Sequence, residues 1–377
     1  MSLTKQLYDG RLGRWCERHF VGTARVVWHV RSAVAATKPV QATGKVDKDK
    51  HWADVGRAFT QRLADLVDPS PPYRAMLGMI GVGWLSWARA HVQAAAYPGR
   101  AELPEQHRGR ALSLRRTPAG WLDLGPRVDR DPIQPEVEVV MLDLLERTRA
   151  YQAEHIPHGE WGTRGAEMGL ARSLWVLGAC EGMDQTGRLD WRLSGVVHHG
   201  GGVAELRALP TESVVAELVE LAGRARALDL VGQCRDIVEQ LLHGESDEPV
   251  EDSTMGVAAP VLIPGWVEGD LLIGSPRATM LVDVKTAAGG LYDTQRVTRW
   301  CWQLLAHAWL DSQDLHRVRA VALYMARFGV LIPWSVRTLA AELLGTRDPD
   351  RIEDARREFR DIAKDVLREE GVKFRIT

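Results

Sequence analysis

The sequence predicts a mixed α/β (α+β) chain in which a long helical stretch precedes a sheet-and-helix unit. Three observations carry that prediction. Apolar residues recur at helical spacing from His51 to Leu242, short apolar runs bounded by Gly and Pro replace that period after Pro249, and an acidic stretch, Gly244-Glu245-Ser246-Asp247-Glu248-Pro249, separates the two regimes as a solvated linker. The 377 residues are 45% hydrophobic and 26% charged, an ordinary globular composition that excludes a disordered or collagen-like chain. At about 150 residues per domain, this length holds two or three structural units.

Residues 51–67 place Val55, Phe59, Leu63 and Val67 on one helical stripe, which Asp68-Pro69-Ser70-Pro71-Pro72 ends. A second helix over 73–96 is apolar on nearly all sides. The Arg-rich 107–116 reads as an exposed loop. Further helices are predicted from Pro135 to near Pro157 and over 166–180, 213–227 and 228–242. Past the linker, 256–264, 268–274 and 280–286 read as consecutive strands and 293–311 as a helix. Strands over 317–326 and 329–334, helices over 335–344 and 351–370 and a short strand over 372–376 complete the chain.

The overall charge of −2, from 48 Lys+Arg and 50 Asp+Glu, is unevenly distributed. Residues 1–62 hold twelve Lys/Arg and five Asp/Glu, a net of +7, which reads either as a polyanion-facing surface or as a plain solvated basic face. The four cysteines lie far apart with no Cys-x-x-Cys, which excludes a zinc ribbon and a cysteine-ligated iron–sulfur cluster. A charged N-terminus without an apolar core, and no run of about 18 apolar residues, predict a cytoplasmic protein with no membrane partner. No Gly-Lys-Ser/Thr and no Gly-x-Ser-x-Gly is present, so neither an ATPase loop nor a hydrolase elbow is readable. His198-His199-Gly200-Gly201-Gly202 and His155-x-x-His158 lack companion ligands at metal spacing and read as flexible loops, and Cys16-x-x-His19 is similarly incomplete. Trp300, Trp302 and Trp309, at helical spacing, read as core before base-stacking platforms.

Residues 264–290, PGWVEGDLLIGSPRATMLVDVKTAAGG, are the informative stretch. Asp283 and Lys285 interrupt the apolar run Met-Leu-Val-Asp-Val-Lys-Thr and share a sheet face by period-two geometry. Asp270 lies on the preceding strand. Unpaired burial of such groups costs several kcal/mol, on the order seen for buried charges, so they are either paired with each other or have chemistry to perform. Two carboxylates and the Val284 carbonyl suit a hard divalent cation, Mg²⁺ or Mn²⁺, and Lys285 suits orientation of water or stabilisation of developing charge. The bland alternative is an Asp–Lys ion pair at a sheet edge.

Gly269-Asp270 followed by Asp283-Val284-Lys285 resembles the motif of the PD-(D/E)xK nuclease superfamily, specifically its RecB-like branch. Gln303-Leu304-Leu305-Ala306-His307 resembles the branch's Gln-x-x-x-Tyr motif, with His307 where Tyr is usual. Residues 321–334 resemble the two strands that follow in a set of uncharacterised bacterial relatives, and Val55-Gly56-Arg57-Ala58-Phe59 resembles their upstream helix. The resemblance covers residues 256–344 specifically and 51–67 loosely. It implies a restriction-endonuclease-like αβββαβ core with a large helical insertion. Its divisions are a basic N-terminal segment holding the first core helix (1–69), the insertion (70–250), the core sheet (251–345) and a C-terminal helix and strand (346–377).

The resemblance further implies Asp270 and Asp283 as metal ligands, Lys285 as the water-orienting or charge-stabilising catalytic residue and Gln303 as a catalytic support. The family's first-helix Glu has no counterpart, the matching turn offering Gln61. Glu268 is the substitute ligand of choice, ahead of Glu167 and Glu217. Arg57, His307 and Arg327 are candidate nucleic-acid contacts. The expected function is metal-dependent phosphodiester hydrolysis of DNA in repair, recombination or defence against foreign DNA, with the insertion selecting substrate or protein partners. A nuclease-fold subunit that binds nucleic acid or scaffolds a complex without turnover is the second reading, and a small-molecule phosphoesterase the third.

Overall fold

The computed structural model describes residues 2–42, 48–99, 120–124, 134–157, 159–243, 255–275, 277–287, 291, 293–372, 374 and 376. The expected loop over 107–116, the linker over 244–252 and His158 lie outside the described residues. The chain divides into two compact units, one of residues Met1–Pro39 with Leu228–Thr377 and one of Val40–Ala227.

The N-terminal residues form three helices, α1 (Leu3–Asp9), α2 (Arg11–His19) and α3 (Thr23–Val34). Ser2 caps α1 through its hydroxyl, which accepts the Lys5 N–H at 3.4 Å. Leu3, Leu7, Leu12 and Trp15 are buried, so the segment that reads by charge as a basic arm is an integral part of its unit. Only its outward residues carry the positive charge.

The second unit is helical: α4 (Lys48–Val67), α5 (Tyr73–Gly81), α6 (Trp87–Ala95), a 3₁₀ turn (Gly120–Leu124), α7 (Pro135–His155), α8 (Arg164–Thr186), α9 (Trp191–His198), α10 (Val203–Arg207) and α11 (Glu212–Leu228). The helix predicted over 73–96 is two helices. Gly83 takes a left-handed φ of 75° between them, and Ser86 then caps α6. His198, expected in a loop, is the last residue of α9. Helix α8, whose middle is buried from Leu170 to Cys180 apart from Arg172, is the hub, with α4 and α5 packed along it. Beside it, the Arg62 guanidinium donates two bonds to the Glu167 carboxylate, at 2.9 and 2.8 Å, with both side chains buried.

Asp65, in this unit, is poised to titrate. Asp65 accepts from Gln61 at 3.2 Å and from Gln152 at 2.6 Å, and burial outweighs the neighbouring Arg62 to push its pKa from 3.8 up to about 7. The folded chain therefore holds this proton more tightly than the unfolded chain. Its contribution to stability falls as pH rises from about 4 to about 7 and stays lost above. Asp65→Asn is expected to gain about 1–2 kcal/mol at pH 8 and nothing near pH 4, read from urea melts at the two pH values.

The first unit resumes with α12 (Leu230–His243), β1 (Met255–Ala258), β2 (Val261–Ile263), β3 (Val267–Glu268), β4 (Leu271–Gly274), β5 (Thr279–Lys285), α13 (Thr294–Leu310), β6 (Val318–Met325), β7 (Val330–Ser335), α14 (Val336–Leu344) and α15 (Pro349–Glu369). Strands β1, β4, β5, β6 and β7 form one sheet in that order. β1–β4, β4–β5 and β6–β7 are antiparallel and β5–β6 parallel, as a crossover through α13 requires. β2 and β3 form a separate ribbon. The strand predicted over 256–264 splits into β1 and β2 because Ala259 turns at φ 47°, and no strand forms at 372–376 among the described residues.

Helix α12 packs on β4, β5 and β6, so the order along this unit is helix, three antiparallel strands, helix, parallel strand. The helix that heads it is α12 and not residues 53–67. Those belong to α4, inside the helical unit, because their apolar stripe is consumed by α8. The helical unit accordingly spans Val40–Ala227 where 70–250 was expected. Helices α1 and α3 pack on α13, and α2 packs on α15, where Trp15 meets Trp309 and Phe359 edge to face. No helix among the described residues is long and apolar enough to cross a membrane.

Candidate active site

The β4–β5 hairpin places the site. Gly269 precedes β4 where the chain runs tight against Leu281 and Pro260. A Cβ there would stand 2.7 Å from Leu281 Cδ1 and 3.0 Å from Pro260 Cγ, so any larger residue would have to push the end of the Leu281 side chain aside. Leu271 pairs with Val282, and the same register carried one residue further sets Asp270 opposite Asp283. Asp270 Oδ2 accepts the Val284 backbone N–H at 2.8 Å, which fixes the carboxylate against β5. Two residues on from Asp283, Lys285 returns to the same face, and its Nζ lies 2.7 Å from Asp283 Oδ1.

Asp283 is only 5% exposed, and burial pushes its pKa from 3.8 up to about 7. Lys285 pulls against that shift and the facing Asp270 carboxylate adds to it. Its second oxygen, Oδ2, is buried and accepts no hydrogen bond. Two opposed carboxylates, one with an unsatisfied oxygen, form a donor set that fits a hard divalent cation, which would relieve both the repulsion and the desolvation. The Lys285 ammonium also sits 5.6 Å from the Trp300 ring centroid on α13, a cation–π contact that limits its swing.

The remaining predicted residues disperse. Gln303 extends its amide to Thr4 Oγ1 at 3.5 Å, toward α1. Glu268 pairs with Val261 across the β2–β3 ribbon, and among the described residues no group of three or more His, Cys, Asp or Glu gathers, so no third carboxylate closes on the Asp270–Asp283 pair. His307 is 3% exposed inside α13 and faces no solvent from which a nucleic acid could approach. Arg327 is fully buried and donates to the Thr286 carbonyl, so it braces the turn after β6 and is not a phosphate contact. Arg57 lies in the helical unit, donating to Gly178 O at 2.7 Å and to Asp54 at 2.7 Å. Glu167 and Glu217 are there too, bound to Arg62 and His51.

Sequence reasoning missed Trp300 and Cys301 as walls of the site. The only signal was their position directly before Gln303 on the helix that follows Lys285. Burial, and then the Asp283 charge, push the Cys301 thiol up to about 12, so it is a packing group and not a nucleophile. The chain matches no protein-family model, and no curated protein or solved structure is significantly similar to it.

Proposed function

We propose that the sheet-bearing unit is a metal-dependent nuclease of the PD-(D/E)xK type that hydrolyses DNA phosphodiesters. The observation that carries this reading is the buried Asp283 facing the half-buried Asp270, with Lys285 2.7 Å from Asp283 and one Asp283 oxygen unsatisfied. The helix–three strands–helix–strand order supports a restriction-endonuclease-like core. Asp270 and Asp283 would hold Mg²⁺ or Mn²⁺, which when bound supplies Lewis acidity and a more acidic water. Asp270, already fixed by the Val284 amide, orients the pair. Lys285 presents a positive charge at the mouth of the site, placed to offset charge that develops on a phosphate oxygen. Trp300 holds that ammonium in place.

The test is a Mg²⁺/Mn²⁺ cleavage panel on single-stranded, duplex and nicked DNA and on RNA, with wild type and Lys285→Ala. Cleavage by wild type that falls at least about 100-fold in the variant is expected, and equal activity of the two would sink the site assignment. A melting experiment supplies a second readout. Because protons compete for Asp283 below about pH 7, Mn²⁺ should raise the melting temperature more at pH 8 than at pH 6, and Asp283→Ala should erase the rise.

A second reading, a nuclease-fold subunit that binds nucleic acid without turnover, is favoured by Gln303, whose amide reaches toward Thr4. It predicts no Mn²⁺ shift in either protein.

A further inference from the structure

Three arginines on the sheet-bearing unit stand apart from its ion pairs. Arg25 on α3, Arg337 on α14 and Arg347 just beyond α14 line a pocket of ≈430 Å³ with Thr338, Thr346 and a single carboxylate, Glu342. Among the described residues, no hydrogen bond or ion pair engages these three guanidinium groups. The other arginines of the adjoining hollow, which Arg337 also lines, are committed: Arg319 to Asp314, Arg356 to Glu353 and Arg360 to the Trp309 carbonyl. A pocket with a surplus of two positive charges and unused planar donors is suited to phosphate, which a guanidinium grips with two parallel bonds.

The walls of this pocket are fixed by backbone. The Gly22 N–H, at the start of α3, donates to Leu343 O at 2.8 Å, and a Cβ at Gly22 would collide with the Glu342 carbonyl. At the other end of α3, Arg31 donates to Leu291 O at 2.8 Å and to Thr294 Oγ1 at 2.9 Å. That ties α3 to the start of α13, six to nine residues after Lys285. From Arg25 to Arg31 the helix rises about 9 Å. Between them, one turn from Arg25, Trp28 is 68% exposed, a large indole left in water on a helix whose other face is buried.

We propose that this strip of α3 and α14 is a track for single-stranded nucleic acid, with phosphates on Arg25, Arg337 and Arg347 and a base stacked on Trp28. The exposed indole selects the single strand, because a free base offers a π face that a duplex keeps stacked within itself. The tie through Arg31 leads the strand toward the end of β5 that carries Asp283 and Lys285. The inference rests on reading those residues as a phosphodiester-cleaving centre, and it names the form of nucleic acid that reaches them.

Fluorescence anisotropy of a labelled 15-nucleotide thymidine strand, in EDTA so that no cleavage enters, tests the track separately from the chemistry. Arg25→Glu/Arg337→Glu should weaken binding at least ten-fold and flatten the slope of log affinity against log salt by about 1.4, the share of two phosphate contacts on a single strand. Trp28→Ala should weaken it five-fold or more, with Trp28→Phe restoring most of the loss. All three positions are solvent-facing, and unchanged melting temperatures would show the variants folded. Unchanged affinity in both the charge and Trp28→Ala variants, or a duplex bound as tightly as the single strand, overturns the proposal. Wild type that binds the strand through these residues but cuts nothing with Mg²⁺ or Mn²⁺ upholds the track and defeats the nuclease reading. Cleavage that persists with binding untouched by the variants does the reverse.

Discussion

Asp283→Asn is expected to lower Mg²⁺-dependent cleavage on the order of 10³-fold while leaving the metal-free protein at least as stable as wild type at pH 8. These two outcomes have one origin. The Asp283 carboxyl is buried opposite Asp270, and its pKa near 7 means that the folded chain holds the proton more tightly than an unfolded chain with the ordinary 3.8. Folding is penalised progressively as pH rises from about 4 to about 7, and the penalty is constant above. Asn removes the charge, keeps an oxygen for Lys285 and so flattens the pH dependence, while removing an anionic oxygen that a cation needs. Calorimetry at pH 5 and pH 8, beside a cleavage assay, reads both. A variant that is inactive and markedly less stable at pH 8 would mean that the carboxylate is simply half of a structural ion pair.

Glu167→Ala should be the most damaging single change in the helical unit, costing about 3–5 kcal/mol. Its carboxylate takes two bonds from Arg62 and one from the Gly162 N–H at 2.8 Å, all beneath the surface. Truncation strands the buried Arg62 guanidinium, which keeps the Glu160 carbonyl and the face of the Trp161 ring but loses its bonded carboxylate. The desolvation of an uncompensated charge dominates that cost. Replacing both partners, as Arg62→Met/Glu167→Met, should recover most of it, since two apolar side chains of similar length leave no charge behind. Denaturant melts of the three variants decide the matter. A double variant as unstable as the single one would place the loss in packing and not in electrostatics.

The helices were legible wherever apolar spacing met a clear stop, as at Val67 before its proline run. The Asp270–Asp283–Lys285 grouping was legible because polar residues break an apolar strand, and strand geometry alone puts alternate residues on one face. The choice of the helix that heads the sheet was not legible. Both α4 and α12 are amphipathic, and periodicity shows that a stripe is buried without showing what buries it. At the N-terminus charge reported only the outward residues: Arg and Lys outnumber acids there, while Leu3, Leu7, Leu12 and Trp15, which charge does not register, do the packing. His307 and Arg327 failed for a related reason. Polarity predicts an outward side chain, yet tertiary contacts enclose both.

The bond from the Val284 N–H to Asp270 Oδ2 gives the site a structural duty besides any chemistry. At that end of the hairpin the rung is closed by a side chain. A slip of β5 by one residue would carry Asp283 and Lys285 through the sheet and release the bond at the same moment. Strand alignment and site assembly are thus a single cooperative event, and the exchange rate of one amide proton, that of Val284, reports whether both have occurred.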